Sequence, residues 1–124
     1  MPQPELIENF DRARVTYERT VSELIPLVVR MAFESVADVL PGVHELEVHG
    51  EINEDWLPLL RIQRVLDASG EVLFDVEARH ADDAVVETIS EVNVEYLGLL
   101  IDLTGDGFMG AHTIDLPTAT SSVT

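Results

Sequence analysis

Residues 58–79 read PLLRIQRVLDASGEVLFDVEAR, and the segment Asp67-Ala68-Ser69-Gly70-Glu71 at the centre of this stretch decides the fold. Two apolar runs flank a short loop whose last residue is glycine. That chemistry suits a type I turn followed by a G1 bulge, with Gly70 in the left-handed region. Such a loop predicts antiparallel strands over 58–67 and 71–79. It sets Arg61 opposite Glu77 and Gln63 opposite Asp75 on an outer face, and turns Ile62, Leu66, Val72, Phe74 and Val76 inward.

Working outward, residues 43–53 alternate with a period of two. His44, Leu46, Val48 and Ile52 face one way, and Glu45, Glu47, His49 and Glu51 the other. This third strand completes a three-stranded antiparallel meander. Trp56 follows Asn53-Glu54-Asp55 at the mouth of the first hairpin, where it reads as a core edge or as an interface anchor.

Residues 4–25 place Leu6, Phe10, Ala13, Tyr17, Val21 and Leu24 at helical spacing, with Glu8–Arg12, Arg14–Glu18 and Arg19–Glu23 as i,i+4 pairs. Pro26 is expected to end or kink this helix. The apolar pattern resumes over 27–40 and stops at Pro41-Gly42. That second segment is apolar around most of its circumference. It is either central in the core or shared with a second copy, a homodimer through residues 27–40. Downstream, Asp82 or Asp83 caps a second long helix reaching Leu103, with Val92-Asn93-Val94 and Gly98 as weak points. A fourth strand fits Phe108–Leu116, and 117–124 reads as a flexible tail. The expectation is one α+β domain over residues 1–116. Its order of helix, meander and helix resembles the small acidic chaperones of bacterial secretion systems, in element order alone.

Composition narrows the chemistry. The chain has 24 acids against seven basic residues, all arginine, for a net charge of −17. Residues 1–40 hold seven acids and four arginines, net −3, whereas 41–124 hold 17 acids and three arginines, net −14. Arginine in place of lysine and an acid excess are what a GC-rich or salt-adapted genome yields; the uneven placement weakens that explanation and leaves a specific acidic binding face as its alternative. Such a surface repels nucleic acid and anionic membranes and attracts cationic partners. Without lysine there is no Schiff-base or P-loop lysine, and without cysteine no disulfide, thiolate site or cysteine nucleophile. Leu24–Leu40 is too short and too charged to span a bilayer. The N-terminus lacks the basic and apolar regions of a secretory signal, so a cytoplasmic location is expected.

Several segments imitate catalytic or metal motifs and fail on spacing. His44 and His49 in HELEVH lie five residues apart, about 140° apart on a helix, whereas the zincin pair needs i,i+4. Asp102-Leu103-Thr104-Gly105-Asp106-Gly107 follows the start of a calcium loop, but position 12 is Thr113 and Pro117 blocks an exiting helix. It reads instead as a glycine-rich helix end. The Asp-x-Thr-Gly within it lacks the cationic side chain and parallel sheet of phosphotransferases. His80, Asp82 and Asp83 are explained by capping, and His112 has no evident sequence partner. No cofactor motif is present.

The expected function is therefore a non-enzymatic interaction module engaging a basic protein surface, of chaperone, immunity, antitoxin or nucleic-acid-mimicking type. Its candidate contact residues are Glu45, Glu47, His49, Glu51 and Trp56, with no catalytic, cofactor or metal residues. The alternative is a small-molecule-binding or hydrolytic domain with a pocket between sheet and helices and His44 and its acidic neighbours as acid/base groups.

Overall fold

The structure, a computed structural model, describes residues 1–79, 82–104 and 109–116. The expectations for His80, for the turn at 105–108 and for the tail at 117–124 lie outside the described residues. The fold is α+β. Helix α1 (Pro4–Ala37) leads into strands β1 (Val43–Ile52), β2 (Pro58–Asp67) and β3 (Val72–Asp75). Helix α2 (Asp83–Val92) then passes through a π-helical turn (Asn93–Leu97) into α3 (Gly98–Thr104), and β4 (Gly110–Asp115) follows. The antiparallel sheet has the order β3-β2-β1-β4, so β4 pairs with β1 at the edge opposite β3. To reach that edge the chain must cross β2 and β1, which lays the second helical run over one sheet face. The core lies between: Leu46, Val48, Ile62 and Val65 from the sheet meet Val36, Phe33, Val92, Leu97 and Leu100 from the helices.

Pro26 neither ends α1 nor splits it, and one helix runs through it. A proline there removes the N–H that would bond the Ser22 carbonyl. Ser22 and Pro26 are both exposed, where solvent can satisfy the freed carbonyl, while Val28, Ala32 and Val36 pull the following turns onto the sheet. The segment 27–40 therefore goes largely into the chain's own core. Leu27 and Met31 remain outside it. On the exposed part, Arg14 reaches back to Asp11 (3.8 Å) rather than forward to Glu18.

The hairpin loop forms as its residues predict. Gly70 has φ +89°, its N–H donates to the Asp67 carbonyl (3.0 Å), and Asp67 N–H donates to the Glu71 carbonyl (2.9 Å). Register is correct only next to the loop. Leu66 pairs with Val72, but Leu73 bulges, so that Val65 pairs with Phe74 and Arg64, not Gln63, faces Asp75. The strand then ends, and Glu77 has no place opposite Arg61. Val65 is fully buried in consequence, while Val72 and Val76 are exposed. Two more irregularities lie between β1 and β2, where His44 and Gln63 are the extra residues. The first turns His44 to solvent, contrary to its expected inward position. Ile52, also expected inward, lies exposed at the strand end.

Asp82 caps α2, its Oδ1 accepting the Ala84 N–H (2.9 Å). The weak points Asn93 and Gly98 bound the π turn. That turn aims the Asn93 side chain at the sheet, where Oδ1 accepts the Ile62 N–H (2.8 Å). Short β3 covers β2 only from Arg64 to Leu66, so the amide completes a backbone bond that no strand reaches.

Candidate interaction face

Helices cover one face of the sheet, and the other carries the outward side chains of all four strands. From β1 come Glu45, Glu47, His49 and Glu51, as the alternation predicts. Residues directly opposite in antiparallel strands share a face. Pairing with Glu47 and His49 therefore brings Arg64 and Arg61 onto it from β2, and further pairing adds Asp75 from β3 and Asp115 from β4. Among these strand residues five carboxylates oppose two guanidiniums.

The two arginines divide the acids into neutralised and bare. Arg64 grips Glu47 with two bonds, Nε to Oε1 and Nη2 to Oε2, each 2.8 Å. This fork holds the Arg64 guanidinium above its ordinary pKa, chiefly through the Glu47 hydrogen bond and charge, with Asp75 and Glu45 adding to it. Arg61 approaches Glu51 at 3.3 Å, both side chains about half exposed, so this pair adds little stability. Glu45 and Asp115 form no ion pair among the described residues. They stand directly opposite each other across β1 and β4. A like-charge pair in that position destabilises the free chain.

A shallow depression of about 560 Å³ opens on this side, bordered by Glu47, His49, Gln63 and Thr113. His112 lies at its rim, its Nε2–H donating to the Met109 carbonyl (2.7 Å). No group of three or more histidines and carboxylates among the described residues is arranged to hold a metal ion.

At the end of the β1–β2 hairpin, beyond Glu51, stands Trp56. It is 84% exposed, which overturns the core-edge reading. Its φ is +62°, the one non-glycine residue in the left-handed region among the described residues. The loop explains how. Asn53 Oδ1 accepts the N–H groups of Asp55 and Leu57, both at 2.9 Å. Trp56 N–H donates to the Asn53 carbonyl (3.0 Å) and Asn53 N–H to the Leu57 carbonyl (2.9 Å). This is the bond pattern of Asp67–Glu71, with Trp56 in the place of Gly70. A bulky residue there costs about 1–2 kcal/mol of backbone strain.

Four of the five sequence-derived contact residues thus share one bare face, with Trp56 at its end. The sequence reading missed Arg61 and Arg64 as internal counter-ions. The adjacent pair Val65-Leu66, both apolar in an alternating strand, was the available signal of a bulge. No helix among the described residues is long and apolar enough to cross a membrane. Comparison with protein families, curated proteins and solved structures finds no match to this chain.

Proposed function

We propose that this protein is an interaction module that engages a basic partner across the bare sheet face, with Trp56 as an apolar anchor at its end. The observation that carries this reading is the opposed pair Glu45–Asp115. In the free chain the two carboxylates repel; an arginine or lysine placed between them relieves that cost and gains two charge-assisted bonds. Glu47 and Glu51 already have counter-ions, so they shape the face more than they supply charge. Trp56 supports the reading from another direction, because a large exposed aromatic in a strained conformation does nothing for the free fold.

The competing pocket between sheet and helices has less support. The gap bordered by Val28, Ala32, Leu46, Leu97, Leu100 and Ile114 is wholly apolar and too small for a water molecule. The open depression of about 410 Å³ between β2 and the π turn, bordered by Leu59, Arg61, Ser90 and Asn93, has no histidine or carboxylate among its described lining residues. His44, which that reading needs, is exposed at the start of β1.

Affinity capture from lysate of the native host, at low and high salt, tests the proposal. Wild-type chain is expected to retain basic proteins that salt releases, and the double variant Glu45→Arg/Asp115→Arg to lose them. Equal capture by the variant would move the binding surface elsewhere.

A further inference from the structure

Every residue from Met1 to Thr20 is exposed, although all but the first three belong to the rigid rod of α1. The domain grips this helix only from about Val21 onward, through the stripe Val21, Ile25, Val28, Ala32 and Val36. A second stripe lies roughly 100° around the helix. Leu6, Phe10, Ala13, Tyr17, Thr20, Leu24, Leu27 and Met31 follow an unbroken 4-3-4-3 spacing, the heptad of a coiled-coil seam. Leu6 (60%), Phe10 (65%) and Tyr17 (59%) are far more exposed than aromatic and aliphatic side chains of a finished surface. The polar member, Thr20, already donates its hydroxyl to the Thr16 carbonyl (2.9 Å), leaving its methyl for the seam.

We infer that α1 pairs with α1 of a second copy as an antiparallel two-stranded coiled coil spanning Leu6 to Met31. This rests on none of the acidic-face reading. Three observations select the occupant and its direction. The seam is symmetric about its own midpoint, so antiparallel pairing matches Leu6 with Met31, Phe10 with Leu27, Ala13 with Leu24 and Tyr17 with Thr20. Large residues then meet complementary ones in each layer, whereas parallel pairing stacks Phe10 on Phe10 and Ala13 on Ala13, overfull then empty. Charge agrees. The first two turns carry Glu5, Glu8 and Asp11 without a base, at heptad positions off the seam, and antiparallel pairing sets this acidic end level with Arg30 of the other copy instead of stacking it on its like. It also holds the two domains, each carrying −14 beyond residue 40, at opposite ends of a seam about 38 Å long. That is several screening lengths at physiological salt. Finally, the exposed seam offers on the order of 600 Å² per chain, close to the share of a standard stable interface.

Sedimentation of the full chain at micromolar concentration is expected to give twice its 13.7 kDa mass. Phe10→Glu with Tyr17→Glu should return the mass to one chain with the domain's thermal unfolding intact, because the free chain buries neither side chain. Direction is read by disulfide trapping, which the absence of native cysteine makes clean. Phe10→Cys mixed with Leu27→Cys should cross-link, and neither variant alone should do so. A monomeric wild-type chain, which would leave the stripe to a helix of another protein, overturns the inference. So does cross-linking of Phe10→Cys with itself.

Discussion

The two hairpin loops of this sheet have one backbone design and different last residues. In both, an Asx side chain accepts two N–H groups and the same pair of backbone bonds closes the turn. The second loop, Asp67–Glu71, places glycine at the left-handed position, and a Cβ built there would meet nothing within 4 Å. The first, Asn53–Leu57, places Trp56 there, almost wholly in solvent. The second loop is a folding element. The first retains the same geometry at the expense of strain, and strain that no packing requires points to a role outside the free fold.

Four substitutions sharpen or break that contrast. Gly70→Val forces a β-branched residue into the left-handed region with no clash to add. It is expected to destabilise the fold by about 2 kcal/mol in urea unfolding. A smaller loss would mean that the turn relaxes, and that Trp56 is less strained than its φ implies. Asn53→Ala removes the acceptor of two N–H groups at an exposed loop, with an expected loss of about 1 kcal/mol by the same assay. Trp56→Gly should act in the opposite direction, stabilising by about 0.5 kcal/mol once glycine's own entropy is set against the relieved strain. The same variant should weaken partner capture, and a variant both more stable and fully binding would remove Trp56 from the site.

The smallest effect separates the loops by pH. Asp67 is held below the ordinary carboxylate pKa, first by the Ser69 hydroxyl and then by the Glu71 and Ser69 amides. A folded-state pKa below the unfolded one means the contribution is present above the unfolded value, about 3.9, and fades as pH falls through the folded value. Asp67→Asn copies the non-titrating Asn53. Its Tm deficit against wild type should shrink as pH falls below about 4, and a deficit constant with pH would assign the effect to geometry and not charge.

The contrast also shows how far the residues alone could be read. Gly70 was legible because a left-handed turn position is a local demand, and Asp67-x-x-Gly70 meets it within five residues. Asn53-x-x-Trp56 builds the same turn but hides it, since tryptophan carries no turn signal. The outward placement of Glu45, Glu47 and His49 followed from alternation, as it should while a strand runs regularly. It failed at His44, where a bulge decides the parity. Asn93 marked a weak helical position, yet its bond to the Ile62 N–H depends on where β3 ends.

The sequence by itself determined the α+β class, the meander, the glycine turn and the acidity of the outer face. These depend on periodicity, turn chemistry and charge, all carried by neighbours in the chain. Only the tertiary structure decided which acids meet a counter-ion, because the bulges at Leu73 and Gln63 bring Arg64 opposite both Asp75 and Glu47. It alone also divided the apolar surface of α1 into two stripes. The sequence pattern merges them at Val21, since 3.6 residues per turn cannot say which stripe a sheet will cover. Packing against β1 and the second helical run made that choice, and left the other stripe in solvent.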